Sequence, residues 1–143
     1  MHSIVADTTP LNYLVLIQAT EILPSLYGKV LIPPAVQSEL AHANTPDIVH
    51  AWILKPPSCL EIVRLKQPVD AALSHLDAGA REAISLASEL QASLLLMGER
   101  DGVSLARHRG LNVIGTLAAL ELAAVRGLVD LQTMFDRLRD TTF

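Results

Sequence analysis

Ser3-Ile4-Val5-Ala6-Asp7-Thr8-Thr9-Pro10 sets three apolar residues before a carboxylate, then two hydroxyls and a proline. A short apolar run that ends in turn chemistry reads as a buried strand feeding a helix start. Thr9 is placed to cap that helix, with Pro10 as its first residue, where a missing N–H costs nothing. Asp7 is then left at the carboxyl end of the strand. Open α/β sheets bind ligands at such ends, where the strand order reverses. Read alone, Asp7 serves equally as a turn or capping carboxylate.

Outward from this stretch, three further apolar runs read as buried strands: Lys29-Val30-Leu31-Ile32, Ser93-Leu94-Leu95-Leu96-Met97 and Asn112-Val113-Ile114. Leu60-Glu61-Ile62-Val63-Arg64-Leu65 alternates and reads as a half-exposed edge strand. Helical patterns cover residues 12–17, 22–26, 35–43, 47–54, 69–75, 80–90, 103–109, 117–126 and 128–139. Pro34 is placed to open the third of these. Strands alternating with helices predict an α/β fold, a three-layer α/β/α sandwich with a mainly parallel central sheet. Residues 1–143 are long enough for one domain with a real core. The first helices carry more apolar residues than one sheet face needs, which predicts a homodimer through them.

The composition narrows the function classes. With 50% apolar and 18% charged residues the chain is not disordered. Aromatics make up 3%, so Leu, Ile, Val and Ala must build the core. The lone Cys59 excludes an internal disulfide and a cysteine zinc cluster, and fits a cytoplasmic location. Neither a secretory signal nor an apolar run of membrane-spanning length is visible. A net charge of −4 argues against a general nucleic-acid coat, but not against an enzyme that meets nucleic acid through a metal and a local basic rim. The arginines 100, 107 and 109 would supply such a rim. The spacing of Gly98 and Gly102 starts no phosphate-cradling fingerprint. His2, His42, His50, His75 and His108 show no metal-ligand spacing and read as surface or capping residues.

The chemistry lies in the acids. Asp7 follows the first strand, and Glu39 lies in the helix after the second. Asp77 and Glu82 bracket the start of the 80–90 helix, and Glu99 and Asp101 follow the Ser93–Met97 run. A parallel sheet projects residues at these positions toward one edge. Crowded carboxylates repel unless a cation neutralises them. Oxygen-only ligands select a hard ion, Mg²⁺ or Mn²⁺, which activates water and stabilises charge in phosphodiester cleavage. Asp77 also reads as a helix cap, Glu82 as a solvated first-turn residue, and Glu99 and Asp101 as turn residues.

Val5-Ala6-Asp7-Thr8-Thr9-Pro10-Leu11 resembles the opening motif of PIN-domain proteins, in particular the small prokaryotic branch related to VapC-type toxins. Ile32-Pro33-Pro34-Ala35-Val36-Gln37-Ser38-Glu39-Leu40 is similar to its second motif. Leu76-Asp77-Ala78-Gly79-Ala80-Arg81-Glu82-Ala83-Ile84 resembles the third and Leu94-Leu95-Leu96-Met97-Gly98-Glu99-Arg100-Asp101 the fourth. Gly110-Leu111-Asn112-Val113-Ile114-Gly115-Thr116 resembles the strand that follows. The resemblance spans nearly the whole chain. It implies a metal-dependent ribonuclease that acts on RNA, dimerises and pairs with an antitoxin protein. On that basis Asp7 and an acid of the Glu99/Asp101 pair hold the ion, and Glu39 and Glu82 hold a second ion or orient the attacking water.

Two positions depart from the motifs. Ala80 stands where an acid usually follows the glycine of the third, and Gly98 stands where the fourth usually has an acid. A second reading therefore stays open: a catalytically degenerate PIN-fold binding module that has lost part of its acid cluster.

Overall fold

The computed structural model describes residues 3–143; His2 lies outside them. Five strands form one sheet: β1 (Ile4–Ala6), β2 (Val30–Ile32), β3 (Leu60–Ile62), β4 (Leu94–Leu96) and β5 (Val113–Ile114). Their order is β3-β2-β1-β4-β5, and every pairing is parallel. Val5 pairs with Leu31 on one side and with Leu95 on the other. The chain thus steps outward from β1 through β2 to β3, then returns to β1's other edge with β4. The order reverses between β1 and β4, which is where an open α/β sheet leaves a crevice. The expected edge strand is β3, and it does lie at the sheet edge.

All three residues of β1 are buried. Successive strand side chains point to opposite faces, so burial of all three means that helices cover the sheet on both. Among the described residues the covering elements are α1 (Thr8–Leu16), α2 (Ile22–Tyr27), α3 (Pro34–Leu40), α4 (Asp47–Leu54), α5 (Ala78–Leu90), α6 (Arg100–His108), α7 (Thr116–Val125) and α8 (Leu131–Arg139), with a 3₁₀ turn at Ala71–Leu73. Pro34 stands at the start of α3, as expected.

Three local expectations are corrected. Helix α1 starts at Thr8, not at Pro10; Asp7 takes the N-cap position with extended backbone, and Thr9 is already helical. Pro10 is tolerated inside the first turn because the first four N–H groups of a helix have no partner to lose. Helix α8 starts at Leu131 rather than at residue 128, because Asp130 caps it by accepting the Thr133 N–H at 3.0 Å. The apolar surplus of α1 and α2 is spent within the chain: Leu11, Leu14, Val15, Ile17, Ile22 and Leu23 are buried. The Arg137 guanidinium donates to the Ile17 carbonyl at 2.9 Å, fastening α8 to the end of α1. Exposed apolar side chains lie instead along α7 and the turn after it, at Leu117, Leu122, Val125 and Leu128, and at Ile48 and Leu54 of α4, Ile62 and Phe143. None of the described helices is long and apolar enough to cross a membrane.

Candidate active site

The carboxyl ends of β1, β4 and β5 bring three loops side by side. Past β1, the Asp7 N–H extends the ladder by donating to the Leu96 carbonyl at 2.8 Å. That bond draws Asp7 against the end of β4, and the turn after β4 carries Gly98 and Glu99. On the far side of β4, the Met97 N–H donates to the Ile114 carbonyl at 3.0 Å, so Gly115 and Thr116 follow immediately.

Asp7 is 3% exposed, and its Oδ1 has no hydrogen-bond partner. Burial pushes its carboxyl up to about 7; the Thr8 N–H opposes the rise, and the charges of Asp77, Glu39 and Glu99 add to it. Four acids therefore share one neighbourhood. Glu99 Oε2 is likewise buried without a partner, as is the Thr116 hydroxyl. Buried polar atoms are ordinarily paired, so the orphaned oxygens of Asp7 and Glu99, at neighbouring strand ends, mark a place built for something else to complete.

The remaining acids are held by the backbone. Glu39 accepts the Gly79 N–H at 2.8 Å and the Thr8 hydroxyl. Glu82 accepts the Ala35 N–H at 3.0 Å. The two carboxylates thus clasp helices α3 and α5 reciprocally, each reaching the first turn of the other's helix. Asp77 caps α5, its Oδ1 accepting the Ala80 N–H at 2.9 Å.

The expected site residues separate accordingly. Asp7, Glu39 and Glu99 come together. Glu82 is turned to the start of α3, and its charge is not among those that act on Asp7. Asp101 is exposed on the first turn of α6 and is also absent from that set. Asp77, read from sequence as a cap, is both a cap and a member of the cluster. Thr116 went unnoticed; a threonine behind Gly115 at the end of an apolar run was its only signal. Arg109 does not line a basic rim with Arg100 and Arg107, because it pairs with Asp70 at 2.8 Å. Arg100 and Arg107 do border one groove, with Val103, Ser104 and His108, that begins at Gly98.

The donor set is all oxygen, and two of its atoms are orphaned and buried, which fits a hard divalent ion. Among the described residues no three acids, histidines or cysteines are spaced to hold one ion by themselves. Mg²⁺ does not require that: it ordinarily keeps several waters and binds through one or two carboxylates plus a substrate phosphate. Asp7 and Glu99 are the pair with free oxygens.

A family model described as a PIN domain (DUF3368) matches residues 3–143. No curated protein matches the chain. Among solved structures, a PilT N-terminus domain protein from the hyperthermophilic archaeon Sulfolobus solfataricus P2 is similar, with 22% identity and a TM-score of 0.60 over 86% of this chain and 93% of the other. At that identity the likeness speaks for the fold alone. The match over almost the entire sequence, on a parallel sheet with acids at its switch point, means that this chain belongs to the PIN-domain family.

Proposed function

We propose that the protein is a divalent-metal-dependent ribonuclease. PIN domains are generally nucleases that use divalent ions and bind RNA, and the finer reading adds which residues act here. The observation that carries it is the Asp7 carboxyl: buried, with an unpartnered oxygen, and surrounded by Glu39, Asp77 and Glu99. A buried carboxylate without a partner is costly and gains most from a cation.

On this reading Asp7 and Glu99 hold Mg²⁺ or Mn²⁺. The ion supplies activation of water and neutralisation of the charge that builds on the phosphate. Glu39, fixed by Thr8 and Gly79, contributes negative charge that holds the cation and orients a water at the cluster. Arg100 and Arg107 take the flanking phosphates of the strand. Asp101 and Glu82 have no part in it. The likeness of the opening motif to the VapC-type branch extends the reading to a cytoplasmic toxin of one domain, paired with an antitoxin and acting as a homodimer. The apolar strip on α7 is a face open to such a dimer.

The alternative is a binding module without cleavage. One observation favours it: Ala80 and Gly98 bring no carboxylate to positions beside Asp77 and Glu99. Incubation of mixed RNA with Mn²⁺, against EDTA and against Asp7→Asn, separates the two. The nuclease predicts cleavage that EDTA and Asp7→Asn both abolish. Equal cleavage by the Asp7→Asn protein removes the metal-site reading, and binding without cleavage leaves the module.

A further inference from the structure

We propose that the pocket between α1 and α7, beside the acid cluster, is a subsite for one unpaired nucleobase of the RNA strand, with Tyr13 and Phe143 as its stacking wall. The inference rests on the nucleic-acid reading above and adds what part of the strand is recognised, and where.

The pocket has a volume of about 400 Å³, within the range of small-ligand clefts. The chain has five aromatic residues, and two of them meet here. The rings of Tyr13 and Phe143 pack edge to face, 5.0 Å between centroids and at 89°. The Tyr13 hydroxyl and the Thr142 hydroxyl lie 3.0 Å apart, which holds the neighbouring segment against α1. Phe143 keeps 53% of its surface exposed, so one ring remains open to a further planar group. Gly98 and Gly115 also line the pocket.

A purely apolar pocket would suit a lipid or an aliphatic side chain. Thr116 is part of this lining, and its hydroxyl is buried and unpartnered among the described residues. A hydroxyl both donates and accepts, so one rotation about the Thr116 Cα–Cβ bond would let it read either kind of group on a base edge. An aromatic wall with one unpartnered hydroxyl beside it matches a nucleobase, which offers a π-face and a hydrogen-bonding rim.

The position fits a strand that crosses the acids. Gly98 lines this pocket and also begins the groove of Arg100 and Arg107. Glu99 is the next residue. A base held at Tyr13 and Phe143 leaves its phosphates between the acid cluster and the two arginines. The base must be unpaired, since a base inside a helix offers no face to an aromatic ring.

Fluorescence anisotropy on the full chain tests this. The probes are a labelled single-stranded RNA and the same strand with abasic sites, both in EDTA so that cleavage does not enter. Phe143→Ala is expected to weaken binding of the base-bearing strand on the order of five- to tenfold and to leave the abasic strand unchanged. Phe143→Tyr restores it, and circular dichroism checks that each variant is folded. Thr116→Val shifts the preference among four homopolymers. Equal affinity of Phe143→Ala and parent for the base-bearing strand, or equal loss on both strands, overturns the subsite. So does a parent that binds the two strands alike. The nuclease reading is judged separately, by Mn²⁺-dependent cleavage: its absence, with Phe143-dependent discrimination intact, would leave a base-binding module.

Discussion

The carboxylate of Glu39 fills the space in which a side chain on Gly79 would begin, while accepting that residue's N–H at 2.8 Å. The glycine is therefore required by its neighbour rather than by its own dihedral angles. Gly79→Ala forces Glu39 off its two donors or α5 away from α3. Overpacking of this kind costs about 1–3 kcal/mol. A lower urea midpoint at unchanged slope is the expected result; an unchanged midpoint would mean that Glu39 moves aside freely.

Asp7 makes stability depend on pH. Its folded value of about 7 lies above the ordinary 3.8, so the folded chain keeps a proton that the unfolded chain releases between those limits. The resulting stabilisation is complete below about pH 4 and is lost as the pH rises through 7, on the order of a few kcal/mol in all. Asp7→Asn should flatten that part of the curve and melt higher than the parent at pH 8. Mn²⁺ should raise the parent's melting temperature at pH 8, and not that of Asp7→Asn. A parent profile equal to that of Asp7→Asn between pH 4 and 8 would contradict the burial of this carboxyl.

Glu82 separates support from chemistry. Its bond to the Ala35 N–H caps the first turn of α3. Glu82→Ala is expected to cost about 1–2 kcal/mol in denaturant unfolding, while Glu82→Gln, which keeps an acceptor, costs less. Neither should change the metal dependence of cleavage. A folded Glu82→Gln protein without activity would return this residue to the site.

Gly98→Asp tests whether the cluster lacks ligand charge. Position 98 has no positive φ, and a Cβ there meets the Thr9 methyl at 3.2 Å, which a small shift relieves. An added carboxylate beside Glu99 should tighten Mn²⁺ on the order of tenfold, since ligand charge sets such affinities. Isothermal titration that shows no gain would place the new side chain away from the ion. Ala80 is fully buried, and an acid there should instead lower the unfolding midpoint.

Val125 is 84% exposed on the apolar side of α7. If the protein is a homodimer through this helix, Val125→Glu should halve the mass seen by light scattering at high concentration. A parent that is monomeric under the same conditions would remove the dimer from the proposed function.

The strands and the acid at the end of β1 were legible because buried parallel strands write themselves as unbroken apolar runs, and Val5, Leu31 and Leu95 pair as such runs do. Helix starts were less legible. Asp7, Thr8 and Thr9 all have capping chemistry, and Pro10 fits more than one place in a first turn, so residue type alone left the start of α1 ambiguous. The partners of Glu39 and Glu82 lie 40 and 47 residues away, at Gly79 and Ala35. No local pattern reports a bond of that span. The same holds for Thr116, whose interest comes from what it fails to touch, and for the covering of α1, which depends on where α8 returns.

The reciprocal clasp between α3 and α5 has a consequence for how a cation would come and go. Glu39 and Glu82 are anchored by peptide N–H groups, and Asp77 by its own helix, so the chain's own backbone holds these side chains in place. On the proposed metal-site reading, a chelator would then leave α3 and α5 packed as they are. Unlike a zinc finger, such a chain would not need the ion in order to fold.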